Sequence, residues 1–230
     1  MRTFFPLLVG LCLVHPVWAG TLVGTVRAEG KPGTDEAGSG GHYASHKYRF
    51  AERVDYTELH DFVVYLDGPV GGKPTPPAEP VSVNTSRITQ KGAEFKPHVL
   101  PVVVGTTVEW PNNDDIYHNV FSMSEAKPFD LDLYKGNPPE KRVTFDKAGR
   151  VDVFCSIHAN MHCVVLVLEN PYYAATDDHG HYLIPQVPAG TYRLKAWHER
   201  LPSQVQEITV PETGEVKTDF VLGIKNLPKY

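Results

Sequence analysis

Glycine and proline punctuate this chain too often to leave room for long helices. Its 19 glycines and 20 prolines make about one residue in six, and the stretches between them have the length and composition of strands. Leu22-Val23-Gly24-Thr25-Val26 and Phe62-Val63-Val64-Tyr65-Leu66 are the first two. Further strands are predicted at 86–88, 99–104, 107–110, 118–122, 142–145, 151–155, 163–169, 182–184, 191–197, 204–210 and 215–222. Turn signals such as Asp178-His179-Gly180 and Val187-Pro188-Ala189-Gly190 separate them. Strands at this spacing point to an all-β fold of sandwich type. Hydrophobic residues at 41% supply a core and exclude wholesale disorder. A length of 230 residues suits one large domain or two of about 100 residues each.

The N-terminus reads as an export address. Arg2 precedes an apolar stretch from Phe4 to Val14, and Val17-Trp18-Ala19 is a small-residue exit. An apolar run this short, broken by Pro6, falls well below the ~20 residues a membrane helix needs. Cys12 follows Leu11, which argues against a lipid anchor. A cleaved signal over 1–19 and a periplasmic or secreted protein without a membrane span are expected. The formal charge of −5 argues against nucleic acid as the main partner.

Cleavage would leave two cysteines, Cys155 and Cys163, and in an oxidising compartment the simplest expectation is a disulfide between them. Their setting argues otherwise. Cys155-Ser156-Ile157-His158-Ala159-Asn160-Met161 packs a thiol, an imidazole and a thioether into one short loop. His118 opens a strand after the polar turn Asn112-Asn113-Asp114-Asp115. One Cys, two His and a weak axial Met are the donors of a mononuclear blue-copper site. Thiolate and thioether suit Cu(I), and imidazole suits both oxidation states. Zinc would more often recruit a second Cys or a third His. Nothing after Cys163 could complete such a set, because 164–168 is Val-Val-Leu-Val-Leu, so Cys163 reads as a small buried hydrophobe.

These residues carry a resemblance. Phe95-Lys96-Pro97, the run from Val104 to Asn113, His118-Asn119-Val120, and the approach through Val153-Phe154-Cys155 resemble cupredoxins of the plastocyanin and amicyanin kind. The short Cys-x2-His-x2-Met loop is similar to that of amicyanin, and the chain resembles methylamine-utilisation-type plastocyanin-like proteins. The resemblance implies a Greek-key β-sandwich over 81–170 with one type 1 copper ion. It makes His118, Cys155, His158 and Met161 the ligands and gives Asn119 an orienting hydrogen bond to the cysteine sulfur. It also implies single-electron transfer rather than catalysis. Phe154 and Ser156 flank Cys155, where copper oxidases and nitrite reductases place a histidine for a second copper.

The second half carries another likeness. Thr176 to Pro185 followed by Val187-Pro188-Ala189-Gly190-Thr191-Tyr192-Arg193-Leu194 is similar to the carboxypeptidase regulatory-like sandwich, with its immunoglobulin-like and starch-binding-like relatives. The opening strands of that fold are missing just before residue 171, but Gly20–Arg27 and Phe62–Gly68 can supply them. The expected organisation is therefore a discontinuous sandwich of 20–70 and 171–224. A Pro/Gly linker at 71–80 would lead into the cupredoxin at 81–170, with a tail at 225–230. Pairing of Phe62–Leu66 with strands beyond residue 180 is the feature on which this organisation turns. Trp197 and Tyr192 could stack on a sugar, but aromatics at strand spacing are usually core residues.

A patch of Ile157, Ala159, Ile116 and Tyr117 is expected to surround the edge of His158 as an electron exit and docking surface. It would serve a redox protein such as a cytochrome or a periplasmic dehydrogenase. Copper carriage, buffering or sensing is the alternative function, and a glycan- or protein-binding module with an accessory copper site is another. His42, His46 and His60 lie in or after the Gly-rich loop 29–48 and could capture loose copper. His179 and His181 read as solvated turn residues, His98 as a structural hydrogen bonder, and His162 as pointing away from Met161. Met123 is a possible competitor to Met161, and His198 has no assigned role.

Overall fold

The computed structural model describes residues 19–30, 56–70, 87–136, 138 and 141–223. The expected export signal short of Ala19, the segment that holds His42 and His46, the expected linker at 71–80 and the tail 225–230 lie outside these residues. All regular structure among the described residues is β.

Two sheets hold the outer strands. In one, Ala19–Glu29 pairs antiparallel with His181–Pro188 and parallel with Glu215–Lys217 and Phe220–Gly223. In the other the order is Tyr173–Ala175, Val63–Leu66, Gly190–His198, Leu201–Val210. Leu66 thus lies opposite Leu194 and Val63 opposite Trp197. Leu22, Phe62, Val64, Tyr172, Leu194 and Phe220 fill the space between the two sheets. Gly24 sits where the chain crosses closely, since a Cβ there would lie 1.9 Å from the Thr218 carbonyl oxygen. The single strand expected over 215–222 is broken for a related reason. Thr218 and Asp219 turn their polar groups onto Val23 and Thr25 instead of continuing a ladder.

The intervening residues form a second sandwich. Its five-stranded sheet runs Val99–Val103, His162–Leu168, Gly149–Phe154, His118–Ser122, Phe129–Tyr134. Facing it are the pairs Thr106–Glu109 with Arg142–Phe145 and Thr89–Gln90 with Phe95–Lys96. Trp110, Phe145, Val153, Val165 and Met161 lie in the core between them. Of the strand expected at 86–88, Arg87 makes an isolated bridge to Glu109, and the strand itself is Thr89–Gln90. Phe129–Tyr134 is absent from the expected strands, although its Phe-Asp-Leu-Asp-Leu alternation is the pattern of a half-buried strand.

The apolar run after His162 has a structural cause. Cys163, Val165 and Val167 face the inner core, whereas Val164, Leu166 and Leu168 pack against Val63, Tyr65 and Trp197 of the outer sheet. Val63–Leu66 is likewise buried at every position, with Val64 and Leu66 turned into the outer core. Two strands with both faces covered must be apolar throughout, and they weld the two sandwiches into one body.

Candidate metal centre

The site lies at one end of the inner sandwich. His118 starts its strand fully buried, Cys155 follows the strand Gly149–Phe154, and Met161 immediately precedes His162–Leu168. The connecting loop is closed by its own backbone: Cys155 N–H donates to the Met161 carbonyl (3.1 Å) and Met161 N–H to the His158 carbonyl (3.0 Å). His158 is therefore held at the apex of a tight turn, while Met161, 1% exposed, is in the same core cluster as Cys155.

The polar turn before His118 orients it. Asn112 Oδ1 accepts from Asp114 N–H (2.9 Å) and Asn112 Nδ2 donates to the Ile116 carbonyl (2.9 Å), an Asx-type turn. Asp114 accepts from the backbone N–H groups of Gly92 (2.7 Å) and Ala93 (2.9 Å). Chiefly because of those two bonds, its carboxyl group is held down at about 2. Asp114 Oδ2 also lies 2.9 Å from His118 Nε2. A permanent carboxylate at Nε2 places the proton there and leaves the Nδ1 lone pair free.

That lone pair faces other donors. His118 Nδ1 is 3.1 Å from His158 Nδ1, and Cys155 Sγ is 3.6 Å from His158 Nδ1. A tetrahedral first-row metal, with bonds of about 2.0–2.1 Å to nitrogen and 2.3 Å to sulfur, separates its nitrogens by about 3.3 Å and nitrogen from sulfur by about 3.5 Å. His158 Nδ1 already stands at about that spacing from both other donors, and the three lie within 4.8 Å of one another. Asn119 backbone N–H donates to Cys155 Sγ at 3.5 Å. Its side chain spans the site, accepting from Ser156 N–H (3.3 Å) and donating to Asp130 (2.7 Å).

The other expected residues fall as follows. Ile116, Tyr117 and Ile157 are 48%, 60% and 51% exposed, Ala159 is exposed, and His158 is partly so. Met123 is 82% exposed and its strand ends before it, so it does not compete with the buried Met161. Cys155 and Cys163 are both free thiols. Burial pushes the Cys163 thiol well up, which keeps it neutral. His162 stacks on Phe154 (centroids 4.8 Å apart) and bonds Asp152, as a residue turned away from Met161 should. His198 is a core histidine against Phe62, its charged form disfavoured by burial. His60 bonds the Glu58 carbonyl at 2.8 Å. His179 lies in an exposed turn, and His181 opens the strand His181–Pro188, exposed and bonded to Asp177. Trp197 is packed in the layer between the sandwiches and does not offer a face for sugar stacking. Sequence reasoning passed over Asp114, although its place four residues before His118 was visible.

Residues 82–168 match the family described as copper binding proteins, plastocyanin/azurin family. This segment is a cupredoxin. The cupredoxin is a Greek-key sandwich of a copper-binding family, and its fold is one generally used for electron transfer. Residues 163–218 match polysaccharide lyase family 4, domain II, so the carboxypeptidase regulatory-like reading of the outer strands rests on sequence motifs alone. Among curated proteins none matches.

Solved structures similar to the chain include a Cu-containing nitrite reductase from Thermus scotoductus SA-01 (29% identity, 44% of this chain and 25% of that one, TM-score 0.34). A purple cupredoxin from Nitrosopumilus maritimus (27%, 36% and 98%, 0.31) and a reduced form of a mutant amicyanin (23%, 38% and 86%, 0.33) are others. This chain spans about a quarter of the length of the nitrite reductase. At these TM-scores the superpositions add nothing to the cupredoxin assignment.

Proposed function

We propose that this protein is an exported carrier of single electrons, with one type 1 copper ion held by His118, Cys155, His158 and Met161. The observation that carries the reading is the convergence of His118, His158 and Cys155, with His158 Nδ1 3.1 Å from His118 Nδ1 and 3.6 Å from Cys155 Sγ and all three donors within 4.8 Å, and with Met161 buried in the adjoining core. The donor set fits copper: a soft thiolate and thioether beside two imidazoles serve both Cu(I) and Cu(II). The bound ion supplies a one-electron couple. The chain's own residues do the rest. Asp114 fixes the tautomer of His118, Asn119 steadies the cysteine loop, and the flanking ladders hold the donors in place, which keeps reorganisation small. His158 offers the exposed edge through which electrons leave, and Ile116, Tyr117, Ile157 and Ala159 border it as an apolar surface for brief docking of a redox protein.

The outer strands, 20–70 and 171–224, serve as a host sandwich into which the cupredoxin of 81–170 is inserted. Pairing of Val63–Leu66 with Gly190–His198 supports that organisation. The reading is non-catalytic: Cys155 has no histidine neighbour to feed a second copper.

Addition of Cu(II) to the purified chain is expected to produce an intense visible thiolate-to-copper band that Cys155→Ser abolishes. No band, or a band retained in the variant, overturns the assignment. A reversible voltammetric wave supports the carrier, and an irreversible one supports copper storage or delivery.

A further inference from the structure

A second group of donors lies at the seam between the two sandwiches, outside the candidate copper centre. His98 comes from the bend before Val99–Val103, His162 opens the neighbouring strand, and Glu199 sits in the hairpin turn between Gly190–His198 and Leu201–Val210. Their ligand atoms all lie within 4.8 Å of one another. We propose that His98, His162 and Glu199 form a second metal site, for a divalent cation of the zinc class, which clamps the outer hairpin to the cupredoxin.

The placement is built by the fold. The parallel register that sets Val99 opposite Val164, with Val164 N–H donating to the His98 carbonyl (2.8 Å), brings the two histidine rings edge to face at 5.5 Å. His98 Nε2 lies 2.9 Å from Glu199 Oε1. His162 is fixed by stacking on Phe154, and its Nε2 lies 3.0 Å from Asp152 Oδ1. A carboxylate behind an imidazole is the usual device for setting the tautomer of a metal-bound histidine, and here it leaves the Nδ1 lone pair for a cation. Arg150 secures that carboxylate, with Nη2 2.6 Å from Asp152 Oδ1, and donates to the Glu199 carbonyl (2.9 Å).

A plain ion pair accounts for only part of this. One histidine suffices to pair with Glu199. A second imidazole brought to the same carboxylate adds like-charge repulsion if both rings are protonated, whereas two neutral imidazoles and a carboxylate are a complete set of three ligands. Donors around a tetrahedral cation stand about 3.3 Å apart. Closure from 4.8 Å therefore asks for side-chain movement of about 1.5 Å at most, with Glu199 Oε1 already inside that distance of His98. The nitrogen-rich set argues against calcium and magnesium, and the lack of sulfur argues against Cu(I). Glu199 is 16% exposed and His162 25% exposed at the side chain, so water can complete the shell. The metal would act through position, since Glu199 belongs to the outer hairpin and both histidines to the cupredoxin.

The test is a calorimetric titration of the copper-loaded chain with Zn2+, paired with zinc-edge X-ray absorption. One further equivalent is expected, in a shell of nitrogen and oxygen alone. His98→Gln and Glu199→Gln should abolish it, and Asp152→Asn should weaken it about 10-fold. The double variant Cys155→Ala/His158→Ala keeps it, which separates this site from the fate of the copper reading. Circular dichroism of the metal-free variants checks that they fold. Absence of binding, a sulfur-containing shell, or an equivalent that survives in His98→Gln and Glu199→Gln overturns the proposal.

Discussion

Asn119 and Cys155 are joined across two strands: the backbone N–H of Asn119 donates to the cysteine sulfur at 3.5 Å, and its side-chain oxygen accepts from Ser156 N–H at 3.3 Å. One residue therefore steadies both the sulfur and the first peptide of the loop that bears His158. Because the contact to sulfur comes from the main chain, it survives any substitution that preserves the strand. The side-chain bridge does not survive.

Asn119→Ala should accordingly leave the thiolate-to-copper band in place while loosening its frame. The change removes the bonds to Ser156 N–H and to the Asp130 carboxylate, which accepts from Asn119 Nδ2 at 2.7 Å. Both partners are exposed, so water can replace the lost amide and a loss of about 0.5–1.5 kcal/mol is expected, read from urea unfolding of the metal-free chain. Release of copper to a chelator should be faster. Unchanged stability would show that the bridge is idle.

Ile157→Glu tests the proposed electron exit. Ile157 is 51% exposed beside the apex residue His158, so a charge there should fold without strain and leave the visible spectrum unaltered. An apolar docking surface carrying a new carboxylate should slow electron exchange with a partner such as a small cytochrome, roughly 10-fold or more, which is about 1.4 kcal/mol in the barrier. Equal rates for the two forms would place the docking surface elsewhere.

How far the sequence could be read depended on the range of the cause. The strand His118–Ser122 and the Cys155–Met161 loop were legible because their signals are local, a polar turn feeding one and a Cys-x2-His-x2-Met spacing carrying the other. The role of Asp114 depends on two backbone donors, Gly92 and Ala93, more than 20 residues away, and no local pattern announces that. Phe129–Tyr134 was legible and still passed over, since its outward aspartates alternate with apolar residues as an edge strand requires. The donor group of His98, His162 and Glu199 was invisible because the last member lies across a contact between sandwiches, 101 residues from the first.

Leu166→Ala addresses the shared layer. Leu166 is 5% exposed and points at Val63, Tyr65 and Trp197 rather than into the cupredoxin core. Its truncation should cost about 2–4 kcal/mol, measured by denaturant unfolding. The copper band should be untouched at low denaturant. A cost below about 1 kcal/mol would mean that the two sandwiches touch without supporting each other.

Asp219 ties the first described strand to the last ones and makes stability depend on pH. Its Oδ1 accepts from both the backbone N–H and the hydroxyl of Thr25, each at 2.9 Å, and the backbone bond is the main reason its carboxyl group is held below the ordinary value of 3.8. A carboxyl group depressed in the folded state contributes stability that is fully present above the unfolded value and fades as pH falls through the folded one. Asp219→Asn keeps the acceptor oxygen but not the charge. The variant should have the lower urea midpoint at about pH 7, and the gap from the unchanged protein should narrow as pH drops below about 4. A gap that stays constant from about pH 7 to about pH 3 would assign the contribution of Asp219 to shape and not to its charge.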